Sequence, residues 1–229
     1  MTPQVTGKLG IPICIFAKPP VPAEVKTRLI PALGETGAAE LAAAMLRDTW
    51  EVAASLPGGR PILATTRRGN FPIAVADCDL WLQGDGDLGR RLEQILTRGL
   101  EQAGSAIALG ADSPGLTGIH LKAALEGLEN HDAVLGPSLD GGFYLLGLRR
   151  CPPGLLASLP WSRPDTCQAV VTRLRQHGFS ILELELLFDV DVPGDLRTLG
   201  SHLAAAGEPS ATRAWWLENV CASALLFPL

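Results

Sequence analysis

Three cations crowd one short stretch of the chain: Lys18, Lys26 and Arg28, in the segment FAKPPVPAEVKTRL at residues 16–29. The sequence has 15 arginines but only four lysines, so half of its lysines fall in this one place. Pro19, Pro20 and Pro22 stiffen the segment by fixing φ. An apolar run, 11–16, precedes it and reads as a buried strand; an alanine- and leucine-rich stretch follows and reads as a helix. In an open α/β sheet, a loop from a strand into a helix lies at the carboxyl end of the strands, where such folds bind ligands. Cations beside the free amides of a helix's first turn suit phosphates. These residues read as a phosphate-binding loop.

The acids fall in three further places. In LGADSPGL, 109–116, a strand ends and Asp112 stands at its carboxyl edge before a proline turn. A carboxylate there can ligate Mg²⁺ or Mn²⁺ and bridge it to a nucleotide's phosphates, or it can stabilise the turn or cap a helix. In GPSLDGGFY, 136–144, Asp140 followed by Gly141 and Gly142 is a strong hairpin-turn signal. The same glycines would let a substrate approach the backbone, with Asp140 on a hydroxyl or a metal. In DVDVPGDL, 189–196, an extended backbone puts Asp189 and Asp191 on one side, where two like charges invite a cation. Asp191 can equally be the N-cap of a helix opened by Pro193, with Asp195 a first-turn acid facing the helix dipole.

The remaining candidates carry less chemistry. GDGDLGRR, 84–91, is a glycine-rich helix entry suited to an anion or a sugar, without Walker or Rossmann spacing, and Asp87 can simply cap the helix. His120, His131, His177 and His202 show no metal-ligand spacing. No serine sits in a Gly-x-Ser-x-Gly elbow. Trp215, Trp216 and the apolar end at 225–229 suit packing, or a patch supporting a homodimer.

These groups need a scaffold, and composition sets its class. The chain has 229 residues, 47% apolar and 19% charged, with a net charge of −5. That describes one domain with a full hydrophobic core, and it argues against general nucleic-acid binding, which needs a basic face. The first ten residues lack a signal peptide's apolar core, and no run approaches the ~18 uninterrupted apolar residues of a membrane span. Five scattered cysteines without a Cys-x-x-Cys pair fit neither a disulfide framework nor a zinc site, so the cytoplasm is the expected location.

Strand-like and helix-like segments alternate along the chain. Helices are predicted at 35–56, ending before Pro57, and at 87–102, where Leu88, Leu92, Ile95, Leu96 and Leu100 recur at three- and four-residue steps. Another starts after a Thr117 cap, with Leu121, Ala124, Leu125 and Leu128 on one face and Asn130 as its stop. Ser162 to Asp165 has capping-box spacing and opens a helix to His177; Pro193 opens one to about Ala206; 210–222 forms a last. Strands are predicted at 11–16, 61–65, 73–76, 106–111, 133–136, 142–148 and 181–187. Such interleaving indicates a mostly parallel sheet covered on both faces.

With these pieces in order, the chain resembles a bacterial group over nearly its whole length. The segments at 16–29, GADSP at 110–114, GPSLDGGFYLLG at 136–147, Trp161-Ser162 and DVDVPGDL at 189–196 are similar to those of the radical-SAM/selenodomain-associated transferases. These are glycosyltransferase-A-like proteins of the nucleotide-diphospho-sugar transferase superfamily. The resemblance implies a single three-layer α/β/α sandwich with a mostly parallel central sheet, binding a nucleotide and a divalent metal, Mg²⁺ or Mn²⁺. It further implies that Lys18, Lys26 and Arg28 contact phosphates and that Asp112, with Asp189 or Asp191, holds the metal. Asp140, Gly141, Gly142 and Trp161 then line the acceptor side, with Asp112 and Asp140 at the chemistry. The implied reaction is glycosyl transfer from a nucleotide sugar to a small-molecule acceptor. The first loop also resembles that of phosphoenolpyruvate guanylyltransferases, which implies nucleotidyl transfer from a nucleoside triphosphate; a nucleotide-binding module without catalysis is the third reading. The chain departs from the pattern at Ala23 (usually glycine), Phe143 (tyrosine), Arg163 (threonine), Val192 (threonine) and Gly194 (glutamate).

Overall fold

The computed structural model describes residues 10–206 and 209–221. The predictions for the first nine residues and for the apolar end at 225–229 lie outside them. The chain runs β1 (Ile11–Phe16), α1 (Ile30–Ala54), β2 (Gly59–Thr65), β3 (Leu80–Leu82), α2 (Leu88–Ala103), β4 (Ala106–Gly110) and α3 (Gly118–Asn130). It continues through β5 (Ala133–Pro137), β6 (Phe143–Leu148), α4 (Thr166–Gln176), β7 (Ile181–Glu183), α5 (Asp195–Ala205) and α6 (Ala211–Trp216). The seven strands form one sheet in the order β3-β2-β1-β4-β6-β5-β7. Only β6 is antiparallel to its neighbours, β4 and β5.

Both faces of the sheet are covered, because strand residues alternate between two cores. Ile13, Ile15, Ile107 and Leu109 pack on one face with Leu46 of α1 and Leu121, Ala124 and Leu128 of α3. Cys14, Ala106 and Ala108 turn to the other face, against Leu92, Ile95 and Leu96 of α2, with Val170, Val171 and Leu174 of α4 beyond. Outside α1, its Leu41 and Met45 meet Leu199 of α5 and Trp215 of α6. The result is the three-layer α/β/α sandwich expected. By length and composition Thr27–Ala54 would suffice to cross a membrane; here Leu41, Met45, Leu46 and Ala53 are buried in the protein's own cores.

Three predicted elements need correction. No strand forms at 73–76. The strand after β2 is β3, which begins only after the 14 intervening residues 66–79 and pairs parallel with β2 through Leu63↔Leu80. A parallel return needs a crossover of a dozen or more residues, which 73–76 is too close to β2 to allow. Ile73 and Val75 instead pack against the core as part of that crossover. The capping box at Ser162–Asp165 does not form: Ser162 is left-handed at φ +59°, and α4 begins at Thr166, whose hydroxyl donates to the Pro160 carbonyl at 2.6 Å. The 181–187 strand is shorter, ending at Glu183, with an isolated bridge from Leu187 to Ser138. Gly34 (φ +70°, ψ 169°) breaks α1, so its regular part starts at Glu35, as the sequence suggested.

Candidate functional site

β1 and β4 are neighbours, aligned so that Phe16 stands opposite Gly110. From β1 the chain leaves toward β2 on one side; from β4 it leaves toward β5 and β6 on the other. The loops after these two strands therefore diverge, opening a crevice at the switch point of the sheet. A cleft of about 830 Å³ lies there, lined by Lys18, Lys26 and Arg28 from the first loop, Asp112 from the second, and Asp140 and Asp191 from farther along the chain.

Lys26 is the centre of this arrangement. It takes a left-handed conformation (φ 47°) just before a short 3₁₀ turn, Thr27–Leu29. Its Nζ lies 2.8 Å from an Asp112 carboxylate oxygen and 2.6 Å from Asp191 Oδ1. The lysine side chain is 7% exposed, whereas the two carboxylates are 48% and 46% exposed. Burial alone would lower the Lys26 pKa, but the two carboxylates outweigh it and hold the pKa above the ordinary lysine value. Of the three cations read from the sequence, only Lys18 and Arg28 stand exposed at the cleft, with no ion-pair partner among the described residues.

The DVD segment divides its labour. Asp191 does not cap α5; its carboxylate goes to Lys26. Asp195 is the first-turn acid of α5 and folds back on the segment before the helix, its Oδ2 accepting from the amides of Asp191 and Val192 at 2.8 Å each. Asp189 turns inward behind the cleft wall and accepts a hydrogen bond from the Ser113 hydroxyl. Burial pushes its carboxyl up to about 6; the Ser113 and Ser138 hydroxyls offset part of that, and the charges of Asp112 and Asp140 add to it.

Asp140, also on the cleft, folds back on its own turn. Its Oδ1 accepts from the Ser138 hydroxyl and from the Gly142 amide, both at 2.8 Å. Gly141 has φ +87°, and a Cβ there would meet the Pro164 carbonyl oxygen at 1.9 Å. Glycine is needed at 141 for a close approach of the chain to itself, and Gly142, not Gly141, lines the cleft. Trp161 and Phe143 line it too, ring edge to face at 6.3 Å between centroids. Arg163 stands beside them, held by Asp165 at 3.2 Å.

Two further cleft residues were not singled out by sequence reading. Gln83 is 4% exposed, with its amide nitrogen donating to the Ala64 carbonyl at 2.8 Å and its oxygen accepting from Arg91 at 3.3 Å. Arg91 lies one helical turn after the Asp87 cap, which accepts from the Arg90 amide at 2.9 Å. That cap-plus-turn spacing, in a segment already noted as suited to an anion, is the signal that could have found Arg91.

The donor set bears on a divalent cation. Asp112 and Asp191 place one oxygen each on the same ammonium, so both reach a single point. Two carboxylates at one point, completed by substrate phosphates and water, are a set that Mg²⁺ or Mn²⁺ accepts. Among the described residues no three Asp, Glu, His or Cys gather into a metal cluster, and the Asp189 carboxylate accepts from Ser113.

Residues 41–163 match the model of a family described as "Uncharacterized protein conserved in bacteria (DUF2064)". No curated protein matches the chain. A solved protein from Desulfovibrio desulfuricans G20, provisionally named a nucleotide-diphospho-sugar transferase, is 26% identical with a TM-score of 0.82, covering 92% of this chain and 95% of that one. A CMP:2-keto-3-deoxy-manno-octonic acid synthetase complexed with CTP shares the fold at 15% identity and a TM-score of 0.51, over 85% of this chain and 98% of that one. So does Rv0371c of Mycobacterium tuberculosis H37Rv, solved as a manganese complex, at 17% identity and a TM-score of 0.50, over 83% and 97%.

Proposed function

The chain belongs to this bacterial family, and we propose that it is a metal-dependent transferase acting on a nucleotide-activated substrate, moving a glycosyl group from a nucleotide sugar to a small-molecule acceptor. One observation carries the reading: two exposed cations, Lys18 and Arg28, and two carboxylates, Asp112 and Asp191, converge on one cleft at the sheet's switch point. Lys18 and Arg28 hold the diphosphate. Asp112 and Asp191 hold Mg²⁺ or Mn²⁺, which supplies charge neutralisation for a departing diphosphate. The manganese complex of a protein of this fold supports such a metal. Elsewhere on the cleft lining, Gly142 and Trp161 face the acceptor. Asp140 takes the proton of an acceptor hydroxyl, a role supported by its Oδ1 alone being used within its own turn.

A second reading is nucleotidyl transfer, in which the same cations hold the pyrophosphate leaving a nucleoside triphosphate. It is favoured by the first loop's resemblance to phosphoenolpyruvate guanylyltransferases and by the CTP complex of a protein with this fold. The test is a thermal-shift panel of nucleotide sugars and triphosphates with and without Mg²⁺ or Mn²⁺, followed by product analysis of each hit. A ligand at about 100 times its dissociation constant adds about 2.7 kcal/mol, a shift of several degrees. We expect metal-dependent stabilisation by one nucleotide sugar and its turnover, both lost in Asp112→Asn. A shift only with a triphosphate, with pyrophosphate released, would move the assignment to nucleotidyl transfer. No shift with any member would overturn the first loop as a nucleotide site.

A further inference from the structure

The cation nearest the two half-exposed carboxylates of the cleft is the protein's own. Lys26 Nζ sits within 2.8 Å of Asp112 and 2.6 Å of Asp191, on a side chain 7% exposed. An ammonium so placed neutralises two acids that would otherwise repel each other across a shared point. It also stands where a divalent cation shared by those acids would stand, since both place an oxygen on that one nitrogen. We propose that Lys26 is a tethered counter-cation that occupies the divalent-metal position, so that metal entry requires its ammonium to withdraw. The inference rests on the reading of Asp112 and Asp191 as the metal's ligands.

Physical chemistry gives the idea a direction. A divalent ion neutralises two carboxylates better than one ammonium does, but it must displace a partner already present at unit effective occupancy. The aliphatic stem of lysine has four rotatable bonds, so the head group can leave without moving the loop. Its exit lies along the cleft, where Lys18 and Arg28 are read as holding phosphates and phosphate oxygens would offer the displaced ammonium new acceptors. Metal alone therefore binds weakly, and metal with a polyphosphate binds well, because the second ligand gives the displaced cation a place to go. Lys26 thereby couples the two ligands rather than merely adding to the positive charge of the loop.

The experiment uses the full-length protein and Mn²⁺ alone, with free Mn²⁺ followed by electron paramagnetic resonance. Lys26→Gln removes the competing charge and keeps a polar head; it is expected to bind Mn²⁺ about tenfold tighter than the wild type or better. Asp112→Asn in the same background is expected to abolish that gain. Mn²⁺ affinity unchanged or weakened in Lys26→Gln overturns the proposal, as does a failure of both proteins to bind Mn²⁺. A second measurement needs no variant. Acylation of lysines in the wild type, mapped by mass spectrometry, is expected to find Lys26 protected in chelator and labelled as Mn²⁺ is added, with exposed Lys122 as the internal standard. Lys26 that stays protected while Mn²⁺ binds overturns the proposal. Neither measurement uses a nucleotide, so nucleotide turnover with a negative Mn²⁺ result would sink this inference alone and leave the transferase reading standing.

Discussion

Ala23 adopts φ +64° in the first loop, a conformation that costs an L-residue energy and glycine almost none. The Glu24 amide donates to the Val21 carbonyl at 3.1 Å, with Pro22 and Ala23 at the two corners. Proline followed by a residue with positive φ is the pattern of a type II turn, whose second corner favours glycine. Ala23 is also the position where the resembled family usually has glycine, so a departure visible in the sequence became a strained residue in the fold. Ala23→Gly is expected to stabilise the protein by about 1 kcal/mol, the relief of strain exceeding the extra entropy of the unfolded chain. Urea denaturation reads this directly, and a loss of stability would mean that the turn carries no strain. Lys26, at φ +47°, shows the limit of such reading. Its charge and loop position were legible. Its destination was not, because an ion pair to Asp191 spans 165 residues of chain.

Elements became legible where their ends carry chemistry. The start of α2 was read to within one residue because Asp87 caps it, and α3 because Thr117 caps it; the structure adds that the Thr117 amide donates to the ring of His120, three residues on. The strand at 73–76 was misread because periodicity in a short apolar run does not say whether its backbone will find a partner. The packing of α6 was likewise beyond local signals. Asp48, on α1, accepts from the amides of Ala211 and Thr212 at 2.6 and 2.9 Å, satisfying the first turn of a helix 163 residues away. Trp215 of that helix donates to Glu40 of α1 at 3.1 Å and is 8% exposed. A carboxylate bonded to two part-buried amides acts as an N-cap supplied from another element. Asp48→Ala is expected to cost about 1–2 kcal/mol. Its signature would be faster hydrogen exchange in α6 than in the strands; uniform exchange across the molecule would argue against a local cap.

At the scale of the whole molecule, the cleft is closed by segments that only the finished fold brings together. Asp189 shows the energetic consequence. It lies beside Ser113, 76 residues away, in a place dry enough to raise its carboxyl to about 6. An ordinary carboxyl in the unfolded chain titrates near 3.9, so between roughly pH 4 and 6 the folded protein keeps a proton that the unfolded chain has released. The stability associated with that proton is present below pH 4 and is lost as pH rises through 6. Asp189→Asn removes this dependence. In chelator, its stability relative to the wild type is expected to grow by roughly 2–3 kcal/mol between pH 4 and pH 7.5. A difference that does not change with pH would place Asp189 in a wetter setting than the structure shows.

The sequence by itself determined the alternation of strands and helices and the loops that carry cations and acids. These follow from periodicity, caps and turn chemistry, all of which act within a few residues. The tertiary structure alone decided which of those charges meet. Lys26 turns to Asp112 and Asp191, Asp189 turns away into the interior, and Gly141 serves the chain's own approach to Pro164. The reason is physical: charge pairing and desolvation depend on distances of a few ångströms between groups far apart in sequence, and those distances exist only once the sheet has set its strand order.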